Sequence, residues 1–201
     1  MHLKMLFVTK GKAYGVFGKS GAGKSTLLSL IAGLEKLSVG DIRCHGESIK
    51  TMNRDRYRSN EIGVIFQSYN LLPHLTALEN VVLSMDISGK KIQNKEKKAL
   101  KLLKEVGLNE EKARRKILHL SGGEQQRVSI ARALSYDCEI ILADEPTGNL
   151  DKETEQDILK ILVSLAHEKD KCVIIISHST KVKQKVDEIY HLKNGRLAPS
   201  E

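Results

Sequence analysis

The hydrophobic pattern of the chain alternates between two periods. Four short, nearly continuous apolar runs lie over residues 13–17, 62–66, 139–143 and 172–176, and between them apolar residues recur every three to four positions. Such runs are typical of parallel strands buried on both faces, and the longer period is typical of amphipathic helices. The pattern therefore predicts an α/β fold with a mostly parallel sheet.

The clearest helices follow two of these strands. One is predicted over 24–32 and another over 152–167, where Asp151 is placed to cap the first turn. Near the C-terminus, Asn194 and Gly195 separate two short alternating segments, which predicts a hairpin.

Between about residues 75 and 135 the pattern is only helical, with an apolar stripe that ends at Gly107. We therefore expect one domain in which residues 1–74 and 136–201 form the α/β core. Residues 75–135 are predicted to form an inserted helical subdomain.

The composition and charge of the chain exclude some classes of function. The 201 residues include no apolar run near the length of a membrane span, and the formal net charge is +8. The positive residues are spread over predicted helix surfaces and loops, and aromatic residues make up only 4%. We therefore interpret them as solvated faces and expect no nucleic-acid partner. Cys44, Cys138 and Cys172 lack metal-like spacing and are expected to be free thiols in a reducing cytoplasm.

The segment "GKSGAGKST", residues 18–26, joins the first predicted strand to the first predicted helix. Its glycines, Gly18, Gly21 and Gly23, permit turns that aim backbone N–H groups inward. Lys24 would reach the outer phosphates of a nucleotide, and the Ser25 hydroxyl would bind Mg²⁺. A glycine-rich turn with a chance lysine is the weaker alternative.

Polar side chains follow three other predicted strands. Asp144 and Glu145 come after "IILA", where a carboxylate would hold Mg²⁺ and the next would act as a general base. His178 and Gln67 come after their own strands and would reach the same site. Each of these predictions has a simpler alternative. The acidic pair would be the start of a loop, His178 would be a structural histidine, and Gln67 would be a polar strand end.

A second glycine pair begins a helix far along the chain, in "LSGGEQQR" at residues 120–127. Ser121 and Glu124 are spaced as a capping box, but this does not require Gly122 and Gly123. Bare N–H groups at a helix N-terminus bind anions, so we predict a second anion site there.

Together these segments resemble the nucleotide-binding subunit of an ABC transporter. In that family's order they are Walker A (18–26), the Q-loop (Gln67), the signature (120–127), Walker B (140–146), the D-loop "GNLD" (148–151) and the switch histidine (His178). Within the family, "FQSYNLLPHLTALENV" and "ADEPTGNLD" look most like the macrolide-exporter, lipoprotein-releasing and peptide-resistance branch. The resemblance implies a P-loop NTPase fold.

The resemblance also implies an Mg²⁺-dependent ATPase with a defined set of site residues. Glu145, His178 and Gln67 would be catalytic, and Ser25, Gln67 and Asp144 would hold the metal. ATP would contact Gly18, Lys19, Ser20, Gly21, Ala22, Gly23, Lys24, Ser25 and Thr26 of one copy, and Ser121, Gly122, Gly123 and Asp151 are the remaining predicted nucleotide contacts. Two copies would sandwich ATP head to tail and drive a separate membrane permease from the inner, cytoplasmic face of the membrane.

One feature departs from the family pattern. Cassettes of this family begin well upstream of Walker A and carry an aromatic residue that stacks on adenine. Gly18 lies too close to Met1 to leave room for such upstream strands. Phe7 is too close to Walker A to be the stacking aromatic residue, and Tyr14 falls in the predicted strand that leads into Walker A. We therefore expect a shortened N-terminus that weakens adenine stacking, by about 1–3 kcal/mol.

Two other functions compete with transport. A non-transport ABC ATPase, in division-type signalling or on DNA or ribosomes, shares the nucleotide motifs, and the membrane partner would distinguish the signalling type. A truncated, inactive remnant is the third hypothesis, although every predicted phosphate-site residue is present.

Overall fold

The computed structural model describes residues 8–200, so Phe7 lies outside the described part. The strands are β1 (Ala13–Phe17), β2 (Arg43–Cys44), β3 (Glu47–Ser48), β4 (Ile62–Ile65), β5 (Ile140–Asp144), β6 (Cys172–Ile176), β7 (Glu188–Lys193) and β8 (Arg196–Pro199). The helices are α1 (Lys24–Ile31), α2 (Arg54–Asn60), α3 (Ala77–Ile87), α4 (Lys95–Glu105), α5 (Glu110–Ala113), α6 (Gly122–Leu134), α7 (Lys152–His167) and α8 (Thr180–Lys183). A short 3₁₀ helix lies over Ile117–His119.

Six strands form one sheet in the order β4-β5-β6-β1-β7-β8. All neighbouring pairs are parallel except β7 and β8, which form the predicted antiparallel hairpin. Asn194 and Gly195 have φ angles of 50° and 71°, as a two-residue turn with a left-handed backbone requires. The mostly parallel α/β fold is confirmed.

Apolar residues on alternate sides of each strand enter two separate cores. Val173 and Ile175 of β6 pack under α3, α4, α6 and α7, whereas Ile174 and Ile176 face α1 and α2. Both faces of the central strands are therefore buried, which explains why these strands read as continuous apolar runs.

Two predicted strands differ from the structure at their ends. β4 stops at Ile65, and β5 is shifted by one residue, because Glu139 precedes it and Asp144 pairs with Ile176 inside the sheet. The hydrophobic pattern did not predict the hairpin of β2 and β3 or the helix α2, because the sequence of these elements has no clear apolar periodicity.

The three cysteines are free, as predicted, and all three are buried. Burial raises the pKa of the Cys138 and Cys172 thiols to about 12, so both remain protonated at neutral pH.

Candidate functional site

The predicted phosphate loop connects β1 to α1 at the carboxyl edge of the sheet. Gly21 and Gly23 have φ angles of 76° and 96°, a region that other residues rarely adopt. Gly18 has no positive φ, and a Cβ there would lie 2.5 Å from the carbonyl oxygen of Leu192. Gly18 therefore does not need a left-handed backbone, and its small size allows the loop to pack on β7.

The loop leaves the start of α1 available to an anion. Gly23 is the N-cap and supplies no side-chain acceptor for the N–H groups of the first turn. The Nζ atom of Lys24 donates to the carbonyl oxygens of Gly18, at 2.9 Å, and Lys19, at 3.2 Å. The ammonium group and the helix dipole therefore both add positive potential at this loop.

A cavity of about 360 Å³ joins the loop to the acidic pair. Its lining residues are Ser20, Gly21, Gly23, Lys24, Ser25, Thr26, Gln67, Asp144 and Glu145. Burial and the charge of Glu145 raise the pKa of Asp144, and Lys24 opposes this shift. A half-buried carboxylate next to a serine hydroxyl supplies the oxygen ligands that suit Mg²⁺.

Glu145 is oriented by two residues from the end of β6. Its Oε1 atom lies 2.9 Å from Nδ1 of His178, and the hydroxyl of Ser177 donates to Oε2 at 3.4 Å. Glu145 has a φ of 45°, and its backbone N–H donates to the carbonyl of Ile176. The structure thus brings the predicted base and the predicted switch histidine into direct contact.

Gln67 reaches the same cavity from the end of β4. Its Nε2 atom donates to Oδ1 of Asn149 at 3.3 Å, and a Cβ on Gly148 would lie 2.9 Å from that same Nε2 atom. The glycine of the predicted D-loop therefore makes room for the Gln67 amide.

A second cavity, of about 720 Å³, lies on the other side of the loop and shares Ser20 and Gly21 with the first. Gly18, Lys19, Ala22 and His178 also line it. All nine predicted phosphate-loop residues, 18–26, therefore line one of the two cavities.

The signature segment lines neither cavity. Ser121 and Glu124 form the predicted capping box at the start of α6. The Lys112 ammonium, 2.6 Å from the Glu124 carboxylate, lowers the pKa of Glu124, and the Ser121 N–H adds to this. Asp151 also lines neither cavity, and its carboxylate caps α7 by accepting from the N–H groups of Glu153 and Thr154.

Two polar side chains that fix the segment after Gln67 were missed by sequence reasoning. The Arg132 guanidinium donates to the carbonyl oxygens of Tyr69, at 2.9 Å, and Asn70. Asn80, only 3% exposed, exchanges hydrogen bonds with the backbone of Leu72. No sequence signal marked them, because each contact joins separate elements.

The hydrophobic residues of this segment divide between two environments. Leu71 packs against the helical core, whereas Leu72 and Pro73 are exposed. The segment after Gln67 is therefore partly packed against the core and partly exposed.

The family model for ABC transporters matches residues 5–148. The chain belongs to the ABC transporter family. It is 45% identical over 192 residues to an uncharacterised ATP-binding protein of this family, YclH of Bacillus subtilis, covering 96% of this chain and 85% of YclH. It is 38% identical to the lipoprotein-releasing system ATP-binding protein LolD of Legionella pneumophila, covering 96% of this chain and 86% of LolD.

Solved structures give the same result. The dimeric cassette MJ0796, described as a bacterial ABC transporter cassette, superposes with a TM-score of 0.88 at 37% identity, covering 98% of this chain and 88% of that one. A post-hydrolysis state of MJ0796, bound to ADP and Pi, superposes with a TM-score of 0.87 at 36% identity, with the same coverage. The chain is an ABC ATPase, the ATP-binding component of a transporter.

None of the helices over residues 8–200 is long and apolar enough to cross a bilayer.

Proposed function

We propose that this ABC ATPase binds ATP with Mg²⁺ at residues 18–26 and hydrolyses it between two head-to-tail copies of the chain, driving a separate membrane permease. One observation carries the proposal. The phosphate loop and the Glu145–His178 pair share one edge of the sheet, whereas the Ser121 helix start lines neither cavity.

The phosphate loop provides the first half of the site. Backbone N–H groups and Lys24 would hold the phosphates, and Ser25, Asp144 and Gln67 would supply oxygen ligands to Mg²⁺. Bound there, Mg²⁺ would neutralise charge that develops on the phosphate oxygens. The half-buried carboxylate of Asp144, in the same cavity as Ser25, fits this ion.

Hydrolysis would depend on Glu145. Its carboxylate would orient the attacking water and accept its proton, and His178 would hold the carboxylate in position through the 2.9 Å contact. Gln67 lies in the same cavity and would help to position the water.

The second half of the site would come from another copy. The start of α6, with Ser121, Gly122 and Gly123, presents a helix N-terminus to solvent, and Asp151 lies in the adjoining D-loop. An anion held between two electropositive helix starts would tie the copies together until hydrolysis removes it. The dimers of MJ0796 support this arrangement.

Coupling to a permease would use the predicted helical subdomain, residues 75–135, and the loop before it. Leu72, Ile87 and Leu118 are 39%, 73% and 75% exposed, so this region carries exposed apolar side chains that a membrane partner would cover. Such a partner would place the cassette on the cytoplasmic face of the membrane.

The test is the mass in solution of Glu145→Gln with and without ATP. The lost base would leave ATP intact, so ATP should convert the monomer into a dimer, and adding Ser121→Arg should abolish this. Ser38→Arg, in an exposed loop, is the matched control and should leave the dimer unchanged.

If no dimer forms, measuring ATP binding in the same samples shows whether the nucleotide site or the dimer arrangement was wrongly proposed. A monomer with ATP bound would contradict the sandwich arrangement. A monomer without bound ATP would contradict the proposed nucleotide site itself.

A further inference from the structure

A second cluster of chemically reactive side chains lies at the opposite, amino edge of the sheet. Glu61 immediately precedes β4, and Glu139 immediately precedes β5. In the turn between β2 and β3, His45 contacts both carboxylates, and Cys44, the last residue of β2, lies beside Glu61. Since β4 and β5 run parallel, this cluster is separated from the nucleotide site by the full length of the strands.

The side-chain donor atoms converge closely. The Nε2 atom of His45 lies 3.1 Å from Oε2 of Glu139 and 3.5 Å from Oε2 of Glu61. The ligand atoms of Cys44, His45 and Glu61 all lie within 4.8 Å of one another. Sulfur, nitrogen and oxygen donors therefore surround one small volume.

An ordinary ion-pair network does not account for all of these groups. Lys10 pairs with Oε1 of Glu139, but Oε2 of Glu139 is buried and makes no hydrogen bond within residues 8–200, because the nearby Nε2 atom of His45 is not aligned to donate to it. Lys10 and, more weakly, Lys171 lower the pKa of Glu139, and the imidazole of His45 faces the carboxylates of both Glu61 and Glu139. The cluster therefore combines two carboxylates and an imidazole with one buried acceptor that makes no hydrogen bond, which a cation would compensate.

We propose that Cys44, His45, Glu61 and Glu139 form a binding site for a divalent cation of the zinc class. Thiolate, imidazole and carboxylate are the ligands of zinc, whereas Mg²⁺ and Ca²⁺ prefer oxygen alone. Bond lengths of about 2.0–2.3 Å place tetrahedral ligands about 3.3–3.8 Å apart. The two imidazole–carboxylate separations lie within a few tenths of an ångström of that range. The Cys44 sulfur lies within 4.8 Å of the His45 and Glu61 donor atoms, and Glu139 approaches the site through its contact with His45.

The site has a structural consequence. β2 and β3 are two residues each, and an isolated two-stranded ribbon of this size is marginal in water. A metal bound by Cys44 and His45 from the hairpin, and by Glu61 and Glu139 from the sheet, would anchor the ribbon to the core. Binding therefore stabilises the native chain in proportion to metal concentration, and the Cys44 proton leaves to solvent when the thiolate forms.

The first experiment titrates the metal-free, nucleotide-free chain with Co²⁺, whose thiolate charge-transfer absorption reports sulfur ligation. We expect one equivalent to bind and produce this band, Cys44→Ser to lose it, and Cys138→Ser to retain it. Cys138 is the matched control because its thiol is also buried but donates to the carbonyl of Ala133. Absence of the band in the wild-type chain, or its loss in Cys138→Ser alone, would overturn the proposal.

The second experiment tests the other ligands by Zn²⁺ affinity and by the melting temperature with and without Zn²⁺. His45→Asn and Glu61→Gln should each weaken binding by about 10-fold or more and abolish the Zn²⁺-dependent rise in melting temperature. Glu47→Gln, on the same hairpin, is the control. All variants carry Asp144→Asn, which removes the proposed Mg²⁺ ligand. Equal affinity for His45→Asn and Glu47→Gln would contradict the assignment.

Discussion

The methyl group of Thr154 occupies the space that a side chain on Gly123 would need. A Cβ built on Gly123 would lie 2.4 Å from Cγ2 of Thr154. Thr154 is itself held by Asp151, whose Oδ2 atom accepts from the threonine hydroxyl at 2.6 Å. The second glycine of the signature is therefore required by packing against α7, whatever it contributes to anion binding.

Gly123→Ala is expected to destabilise the chain by about 1 kcal/mol. Overpacking costs about 1–3 kcal/mol, while alanine in a helix gains about 1 kcal/mol over glycine. Thr154→Ser removes Cγ2 but keeps the hydroxyl that Asp151 binds, so the double variant should recover the loss. Denaturant unfolding of the wild type, the two single variants and the double variant measures the coupling free energy between positions 123 and 154.

Gly122→Ala is the control for that cycle, because a Cβ there would meet only the ends of two side chains, the Tyr69 hydroxyl at 3.0 Å and Cδ2 of Leu150 at 3.8 Å. Independent, additive effects of Gly123→Ala and Thr154→Ser would contradict the packing explanation. A double variant that is stable but no longer dimerises with ATP would show that Gly123 also serves the nucleotide.

His178→Ala is expected to reduce ATP hydrolysis by about 100-fold or more, because Glu145 loses the contact that orients it. The His178 side chain is 73% exposed, so stability should change by no more than about 0.5 kcal/mol. Steady-state phosphate release and thermal unfolding measure the two effects. His74→Ala, at an exposed loop position, should leave both unchanged, and wild-type hydrolysis by His178→Ala would disprove the role.

Asp187→Asn is expected to destabilise the chain by about 1 kcal/mol at pH 7. Partial burial alone would raise the pKa of Asp187, but the Ala13 N–H and the His167 imidazole outweigh it and lower this pKa below the ordinary value. A carboxylate with a lowered pKa stabilises the fold above its unfolded pKa and loses this effect as the pH falls through its folded pKa.

The stability difference between wild type and Asp187→Asn should therefore shrink as the pH falls from 7 to below about 4. Urea unfolding across this range measures it. Asp170→Asn is the control for the change from carboxylate to amide, because the Asp170 carboxylate makes no hydrogen bond within the described residues. A constant difference for Asp187→Asn would mean that the charge contributes nothing.

Arg132→Lys is expected to loosen the segment that follows Gln67. The guanidinium donates to two carbonyl oxygens in a partly buried position, and burial lowers the pKa of Arg132. A lysine ammonium lacks the planar fork that reaches both carbonyls, so we expect a loss of about 1–2 kcal/mol. Hydrogen exchange should increase at Tyr69 and Asn70, whereas Arg56→Lys, an exposed arginine, should leave exchange unchanged.

The sequence by itself determined the local elements and the chemistry of the main site. β1 and β6, the α7 span with its Asp151 cap, and the Asn194–Gly195 hairpin agree with the residue patterns that predicted them. Gly21, Gly23, Lys24 and Ser25 could be placed in one loop because their spacing is short and each has a separate physical requirement.

Only the tertiary structure decided which distant groups meet. The contacts of Gly18 with Leu192, of Gly123 with Thr154, and of His45 with Glu61 and Glu139 join positions far apart in the chain. The cysteine spacing gave no metal signal, because the donors come from one hairpin turn and two strand starts. Such contacts follow from how the strands are ordered in the sheet, which local periodicity does not encode.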